Sequence, residues 1–358
     1  MVSPRAAKFF KLRKNKEGKI VRKVFVGLVG MVLVVSLFFS GCGPADPGGE
    51  ADGQLDGELA GQPFKIGVSQ FLEHPALDAA RDGFVDGLLE LGYEEGVDVE
   101  FIFKSAQGDS DTCRTIAEKF VQDGVDLIAA IATPNAQAAA NVVKDIPIVI
   151  TAITDPVDAG LAESMDRPGG NISGTSDMNP VQEQIALVKD FLPEAAALGI
   201  IYDAGEDNSL VQVKIARQVV ADFDLQLVEA TVTNSSEVSQ AASSLLGKVD
   251  AIYVPTDNAV ASAISAVIKA ANGANIPVFG SESAHVEQGG LATFGVDYYL
   301  LGKQTAGVAD AILKGQDPGE IPIEGSRDLK LVINKKTAAE LGLTVPADLL
   351  EAADEIID

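Results

Sequence analysis

From Lys65 onward, short apolar runs alternate with segments whose apolar residues recur every three or four positions. Lys65-Ile66-Gly67-Val68-Ser69 reads as a strand, and Leu77, Ala80, Phe84, Leu88 and Leu91 mark one helix face that stops at Gly92. Val99 to Phe103 is a second strand, and Ile116, Phe120 and Val121 lie on a helix ending near Gly124. Leu127 to Ala132 is apolar throughout, as a strand covered by helices on both faces should be. A helix over Ala136 to Val143, a strand over Ile146 to Ile153 and a strand at Ile172 to Thr175 complete the run. Repeated strand–helix units predict a parallel sheet with right-handed crossovers.

The pattern then restarts. Val181, Ile185, Val188 and Leu192 form a helix face ended by Pro193. Strands over Leu198 to Tyr202, Leu225 to Val232, Ala251 to Val254 and Ile276 to Phe279 alternate with helices over Leu210 to Phe223, Glu237 to Leu246 and Ala259 to Ala271. A strand at Leu291 to Phe294, a helix over Leu300 to Leu313 and a strand at Leu329 to Ile333 follow. The expected fold is α/β, with two Rossmann-like doubly wound lobes joined by hinge crossovers. The expected partition is 64–177 plus 291–317 in the N-terminal lobe, and 178–290 plus 318–358 in the C-terminal lobe.

The first 41 residues follow another pattern. Nine Lys/Arg, from Arg5 to Lys23, stand against one acid, Glu17, ahead of the 18 mostly apolar residues Val24 to Gly41. A basic start, an apolar middle and small residues at the end make a secretory signal. The next residue is Cys42, and Ser40-Gly41-Cys42 resembles the lipobox of bacterial lipoproteins. That resemblance implies cleavage before Cys42 and a lipid on its thiol. The same run is long enough for an uncleaved membrane anchor. Both readings put the rest of the chain outside the cytoplasm. Residues 42–63 have no apolar periodicity and read as a flexible tether. It reaches roughly 25 Å root-mean-square.

Without residues 1–41 the chain carries 18 Lys/Arg against 51 Asp/Glu, a net charge of −33. Such a surface excludes nucleic acid, which is held mainly by Lys/Arg on phosphates. With Cys42 lipidated, Cys113 is the one remaining thiol, so the fold rests on its core and not on a disulfide.

Candidate chemistry gathers at the carboxyl ends of the strands, where open α/β sheets place ligands. Gln70 and Glu73-His74-Pro75 follow the first strand, Thr133-Pro134-Asn135 the third, and Thr154-Asp155-Pro156 the fourth; Asp177-Met178-Asn179-Pro180 precedes the next helix. Each proline motif sets a polar residue before a helix start, so several helix N-termini should face one cleft. The second lobe adds Glu206, Asn208 and Ser209 after its first strand and Thr256-Asp257-Asn258 after its third. Helix N-termini and hydroxyls suit an anion, and the acids suit a cation. A zwitterion, an α-amino acid, matches both. Its carboxylate is expected near Thr133, Asn208 and Ser209, and its ammonium at Asp177 or Asp257. Phe71, Met178, Tyr202 and Tyr253 are candidates for packing its side chain.

Catalytic constellations are missing. His74 and His285, the only histidines, have no partner at metal-ligand spacing. There is no Gly-x-Ser-x-Gly elbow, no dinucleotide fingerprint after the first strand and no Walker loop. No enzymatic activity, metal or cofactor is expected.

Glu73-His74-Pro75-Ala76-Leu77-Asp78, Thr154-Asp155-Pro156-Val157, Ser176-Asp177-Met178-Asn179-Pro180, Pro255-Thr256-Asp257-Asn258 and Gly295-Val296-Asp297-Tyr298-Tyr299 stand in order at characteristic spacings. They resemble the ABC-transporter substrate-binding lipoproteins of the tryptophan/phenylalanine type. The resemblance covers about residues 64–346. It implies a type I periplasmic-binding fold that closes on a small ligand, an aromatic or large apolar L-amino acid. It also implies a membrane permease and its ATPase as partners. A sensor of the same fold, reporting to a membrane receptor, is the alternative; an extracytoplasmic enzyme with a carboxylate pair is a further rival.

Overall fold

The computed structural model describes residues 62–358, so the signal-like segment and Cys42 lie outside it. Two sheets organise the chain. The first holds β1 (Phe64–Gln70), β2 (Val99–Ser105), β3 (Leu127–Ile131), β4 (Ile148–Ile153), β5 (Ile172–Ser176) and the short β11 (Glu324–Gly325), in the order β11-β5-β4-β3-β1-β2. The second holds β6 (Ala197–Asp203), β7 (Gln226–Val232), β8 (Ala251–Val254), β9 (Val278–Gly280), β10 (Ala292–Val296), β12 (Leu329–Asn334) and β13 (Glu355–Ile357), in the order β13-β12-β10-β9-β8-β6-β7. Every pairing is parallel except β10 with β12.

Local chemistry explains the elements. β3 and β4 are buried along their whole length, because helices cover both faces of the sheet. The helix Ser110–Asp123 starts where Asp109 accepts the amide of Thr112, and ends at Gly124 in the left-handed conformation. Cys113 is buried in that helix, and burial pushes its thiol up to about 12. Ile66, Phe84, Phe120 and Ile150 belong to the first core; Ile201, Val238, Ile252 and Val267 belong to the second.

The sequence puts Leu291 to Phe294 in the N-terminal lobe; the structure puts it in the other sheet. β10 lies between β9 and β12, with both its edges paired. The chain crosses back only at the helix Tyr298–Leu313, which packs on Pro75–Glu90. Gly83 and Gly302 make this close approach possible. A Cβ on Gly83 would fall 2.0 Å from the Tyr299 carbonyl oxygen, and one on Gly302 2.1 Å from that of Ala80. The return to the second sheet comes after β11, which pairs with β5.

Three segments therefore join the sheets, at 177–180, at 296–298 and at 325–329. They are tied to one another. Asn179 Oδ1 accepts from the Val296 amide at 3.3 Å, and the Ser326 amide donates to the Ser176 carbonyl at 2.9 Å. Lys330 Nζ pairs with Asp297 at 2.6 Å.

Candidate ligand-binding cleft

The strand ends bring polar groups of both lobes into one buried region. His74 precedes the helix Pro75–Glu90, and its Nε2 lies 3.3 Å from Oδ1 of Asn258 in the second lobe. Nearer the surface, Gln137 Nε2 donates to Asp207 Oδ2 at 2.7 Å. These two contacts hold the lobes together.

On the first lobe, Thr133 opens the helix Thr133–Val142, which no side chain caps. Ala132 ahead of it has φ 78° and ψ 149°, a conformation that favours glycine. Thr133 is 2% exposed, and its Oγ1 has no hydrogen-bond partner. Pro134 supplies the pre-set φ of the first turn. Asn135 is committed to its own lobe: it accepts from Ser69 Oγ at 2.8 Å and donates to the Ser69 carbonyl at 2.6 Å.

Asp177 lies at the hinge, fully buried. Its carboxylate takes the hydroxyls of Thr154 at 3.0 Å and Tyr298 at 2.8 Å. Burial pushes the carboxyl up to about 6 against the pull of those donors.

The second lobe gathers acids. Glu206 accepts from Asn208 Nδ2 at 2.8 Å, from the backbone and side-chain nitrogens of Asn258, and from the Ala259 amide. Burial and the charge of Asp257 push it up to about 8. Asp257 caps the helix Asn258–Ser262 through the Val260 amide, and accepts from Ser209 Oγ and the Asp203 amide, both at 2.6 Å. Burial raises it as well. The expected pairing of Asp257 with a ligand cation thus meets a carboxylate already holding its own loop together, and Ser209 is committed to the same task. Thr256 Oγ1 accepts from Asn179 Nδ2 and Gln212 Nε2. Asn208 keeps one buried atom, Oδ1, without a partner.

Three expected residues point elsewhere. Gln70 bonds Asp78 and Arg81, and Glu73 is exposed and accepts from Gln107. Both line a surface recess of about 200 Å3 with Arg81, Phe103 and Lys104, wholly within the first lobe. Asp155 closes a local turn by accepting the amides of Val157 and Asp158. Among the apolar candidates, Phe71 lies in the first core, Tyr202 donates to Glu229 and Tyr253 donates to Gln184; Met178 is partly exposed.

Sequence spacing gave no place at the seam to Tyr298 and His285, and did not mark Gln184 or Glu282. Gln184 donates to Asn179 Oδ1 and to the carbonyls of Ser281 and Phe294, locking the hinge to the second sheet. Glu282 and His285 are both buried, with His285 Nε2 3.2 Å from Glu282 Oε1 and misaligned for a hydrogen bond. Burial pushes Glu282 up, but His285 and His74 outweigh it and hold the carboxyl below its usual range. The run Gly280-Ser281-Glu282 at the end of a buried strand was the available signal. Among the described residues no group of His, Cys, Asp and Glu could hold a metal ion, and no helix is long and apolar enough to cross a membrane.

Two lobes of mostly parallel α/β structure, three tied crossovers and a buried polar seam define the type I periplasmic-binding fold. Over residues 65–357 the chain matches the family described as ABC transporter substrate binding protein, and it belongs to that family. It is 41% identical over 328 residues to a tyrosine-binding protein of Clostridioides difficile, covering 92% of this chain and 93% of the relative. An ABC domain from Streptococcus pneumonia, solved in complex with L-Trp, aligns with 82% of this chain and all of its own length at 38% identity and a TM-score of 0.80. A ligand-free, open substrate-binding protein with adhesive properties from Clostridium difficile aligns with 82% of this chain and 99% of its own at 44% identity, with a TM-score of 0.64. The chain is thus the substrate-binding protein of an ABC transporter. Its family has a small-molecule ligand and a permease partner, and acts outside the cytoplasm.

Proposed function

We propose that this protein binds a free L-amino acid with an aromatic side chain in the inter-lobe cleft and hands it to an ABC permease without altering it. The observation that carries the reading is the set of buried, unpartnered polar atoms at the strand ends of both lobes: Thr133 Oγ1, His74 Nδ1, Asn208 Oδ1 and Ser281 Oγ. Each such atom costs about 1–3 kcal/mol when nothing bonds it. A small polar ligand removes that cost. The uncapped start of Thr133–Val142 suits its carboxylate, and the acidic second-lobe edge suits its ammonium. The tyrosine- and tryptophan-binding relatives support an aromatic side chain.

The closed arrangement supports the same reading. The relative described as open is the more identical of the two solved relatives, yet has the lower TM-score at equal coverage. A rotation between like lobes produces that combination. Ligand binding therefore closes the cleft about the hinge, and the closed pair of lobes is what the permease recognises.

Cys42 anchors the chain by lipid. Ser40-Gly41-Cys42, the tether behind it and a likeness to the tyrosine-binding relative longer than the folded body all favour this. Cys42→Ser should leave the chain unprocessed or released; a membrane-bound product of unchanged mature size would contradict it.

The ligand class is tested by a thermal-shift panel of amino acids, sugars and nucleosides on the full chain in detergent. A ligand at about 100 times its Kd adds about 2.7 kcal/mol. Stabilisation by L-tyrosine, L-tryptophan or L-phenylalanine is expected. A response to a sugar or nucleoside, with every amino acid silent, would overturn the reading.

A further inference from the structure

Five buried acids stand at these strand ends, and their partners separate them; Asp203 accepts the Gly205 amide in its own turn. Asp257 receives three hydrogen bonds, Glu206 four, and Asp177 two hydroxyls. Glu282 differs. It is 3% exposed, yet no N–H or O–H of the protein bonds its Oε1; only the misaligned imidazole of His285 approaches it, at 3.2 Å. A buried carboxylate oxygen without an aligned donor is costly unless a cation meets it, and His285 is the basic side chain beside it in the protein itself.

Its position is built and not incidental. The backbone of Glu282 bridges to Val296, the crossover residue whose amide Asn179 accepts. The carbonyl of the preceding Ser281 is held by Gln184 at 3.2 Å. Glu282 therefore sits where the second sheet meets the hinge. Its charge acts on His74 in the opposite lobe and on Asp177 and Tyr298 at the crossovers.

We infer that Glu282 is the acceptor for the ligand's ammonium group, an inference that rests on the amino-acid reading above. Asp177 then serves as a hinge acid, bonded through Tyr298, and the acids Glu206 and Asp257 serve as scaffold. The ligand's ammonium supplies an N–H donor to the Glu282 Oε1 that no protein group bonds. The other end of the zwitterion points across the cleft to Thr133.

The test is calorimetry on the full chain with two probe pairs. These are L-tyrosine with 3-(4-hydroxyphenyl)propanoate, and L-tryptophan with 3-(indol-3-yl)propanoate, which lack only the amino group. Glu282→Gln should weaken the amino acid on the order of 100-fold. The desamino acid should change by less than about threefold. Asp177→Asn should cost the amino acid less than about tenfold. Should the glutamine variant fail to fold, Glu282→Asp keeps the charge but withdraws it from the ligand, and loss confined to the amino acid again supports the assignment. Amino-acid affinity within about threefold of the parent, or equal losses for both members of a pair, would overturn it. If the parent binds none of the twenty amino acids, the amino-acid reading itself falls, and Glu282 with it.

Discussion

The two edges of the cleft differ in where their buried acids lie. On the first lobe, two helices, Pro75–Glu90 and Thr133–Val142, begin with no side-chain cap, and no buried acid lies on that edge short of Asp177 at the hinge. On the second lobe Asp257 caps its own helix and Asp207–Val219 begins uncapped, but Glu206, Asp257 and Glu282 are all buried there, so the edges differ in their acids more than in their caps. Folding alone would favour capping every helix, since a missing cap costs about 1 kcal/mol. The first edge leaves its donors free, and the second collects carboxylates that must be desolvated. The difference is what the proposed amino-acid reading requires: donors on one side for an anion and acids on the other for a cation.

The largest expected effect separates scaffold acids from ligand acids. Asp257→Ala removes a cap and leaves the buried Asp203 amide and Ser209 hydroxyl without their acceptor. Relief of Glu206 from a neighbouring charge offsets part of this. The net loss should be about 3 kcal/mol in urea unfolding of the ligand-free protein. A loss below about 1 kcal/mol would mean that Asp257 is not scaffold, and the contrast drawn among the second-lobe acids would fail.

A second effect concerns protons. Burial lowers the pKa of His74 in the closed form; Glu282, the Asn258 hydrogen bond and Asp78 oppose this, and His285 adds to it. Opening exposes the ring, so its pKa returns toward about 6.5. Below that value the open form takes up a proton that the closed form refuses. Closure is therefore fully favoured above about pH 6.5 and weakens as pH falls, by at most tenfold in affinity per pH unit. Calorimetry between about pH 7.5 and about pH 5.5 should show the loss, and His74→Gln should flatten it. Asp177 works with the opposite sign on stability. Its raised carboxyl pKa, about 6, favours the folded state at low pH, and that contribution is lost as pH rises through about 6. A parent protein whose affinity stays level over the range would remove His74 from the closing contact.

Much of this was legible in the sequence, and the failures have physical causes. Strand and helix order followed from apolar spacing, because in the first sheet β3, β4 and β5 are buried on both faces, β1 is buried from Ile66 onward, and the edge strand β2 mixes buried with exposed positions. The strand-end rule singled out His74, Thr133, Asp177, Glu206 and Asn258, all of which are buried near the strand ends. It could not tell donors that face a cleft from donors that face their own loop, which is why Asn135, Asp155 and Ser209 turned out to be locally committed. The placement of β10 was missed because a short apolar strand carries no mark of which sheet will pair with it. Glu282 was missed because Ser281-Glu282-Ser283 lacks the proline that marks the other motifs.

The first edge can be sharpened at Ala132. Its φ of 78° is strained for any residue with a Cβ, and the strain aims the start of Thr133–Val142. Ala132→Gly should stabilise the ligand-free protein by about 1 kcal/mol, net of the added freedom of glycine in the unfolded chain. Thermal unfolding checks this. A loss of stability would show that the neighbouring strand ends, and not the Ala132 backbone, bear the strain.

The smallest effect tests whether the two edges communicate through closure. Gln137 and Asp207 meet across the mouth of the cleft at 2.7 Å, where Asp207 also begins the uncapped helix Asp207–Val219. The contact is solvent-exposed, so removing it costs less than about 1 kcal/mol. It forms between lobes, however, so the whole cost falls on the closed state. Gln137→Ala should weaken ligand binding about two- to fivefold, with the unfolding free energy of the ligand-free protein unchanged. The change should lie mainly in the dissociation rate, because the open form that captures the ligand lacks the contact. Stopped-flow fluorescence separates the two rates. A slower association with unchanged dissociation would place Gln137 on the capture path and not on the latch.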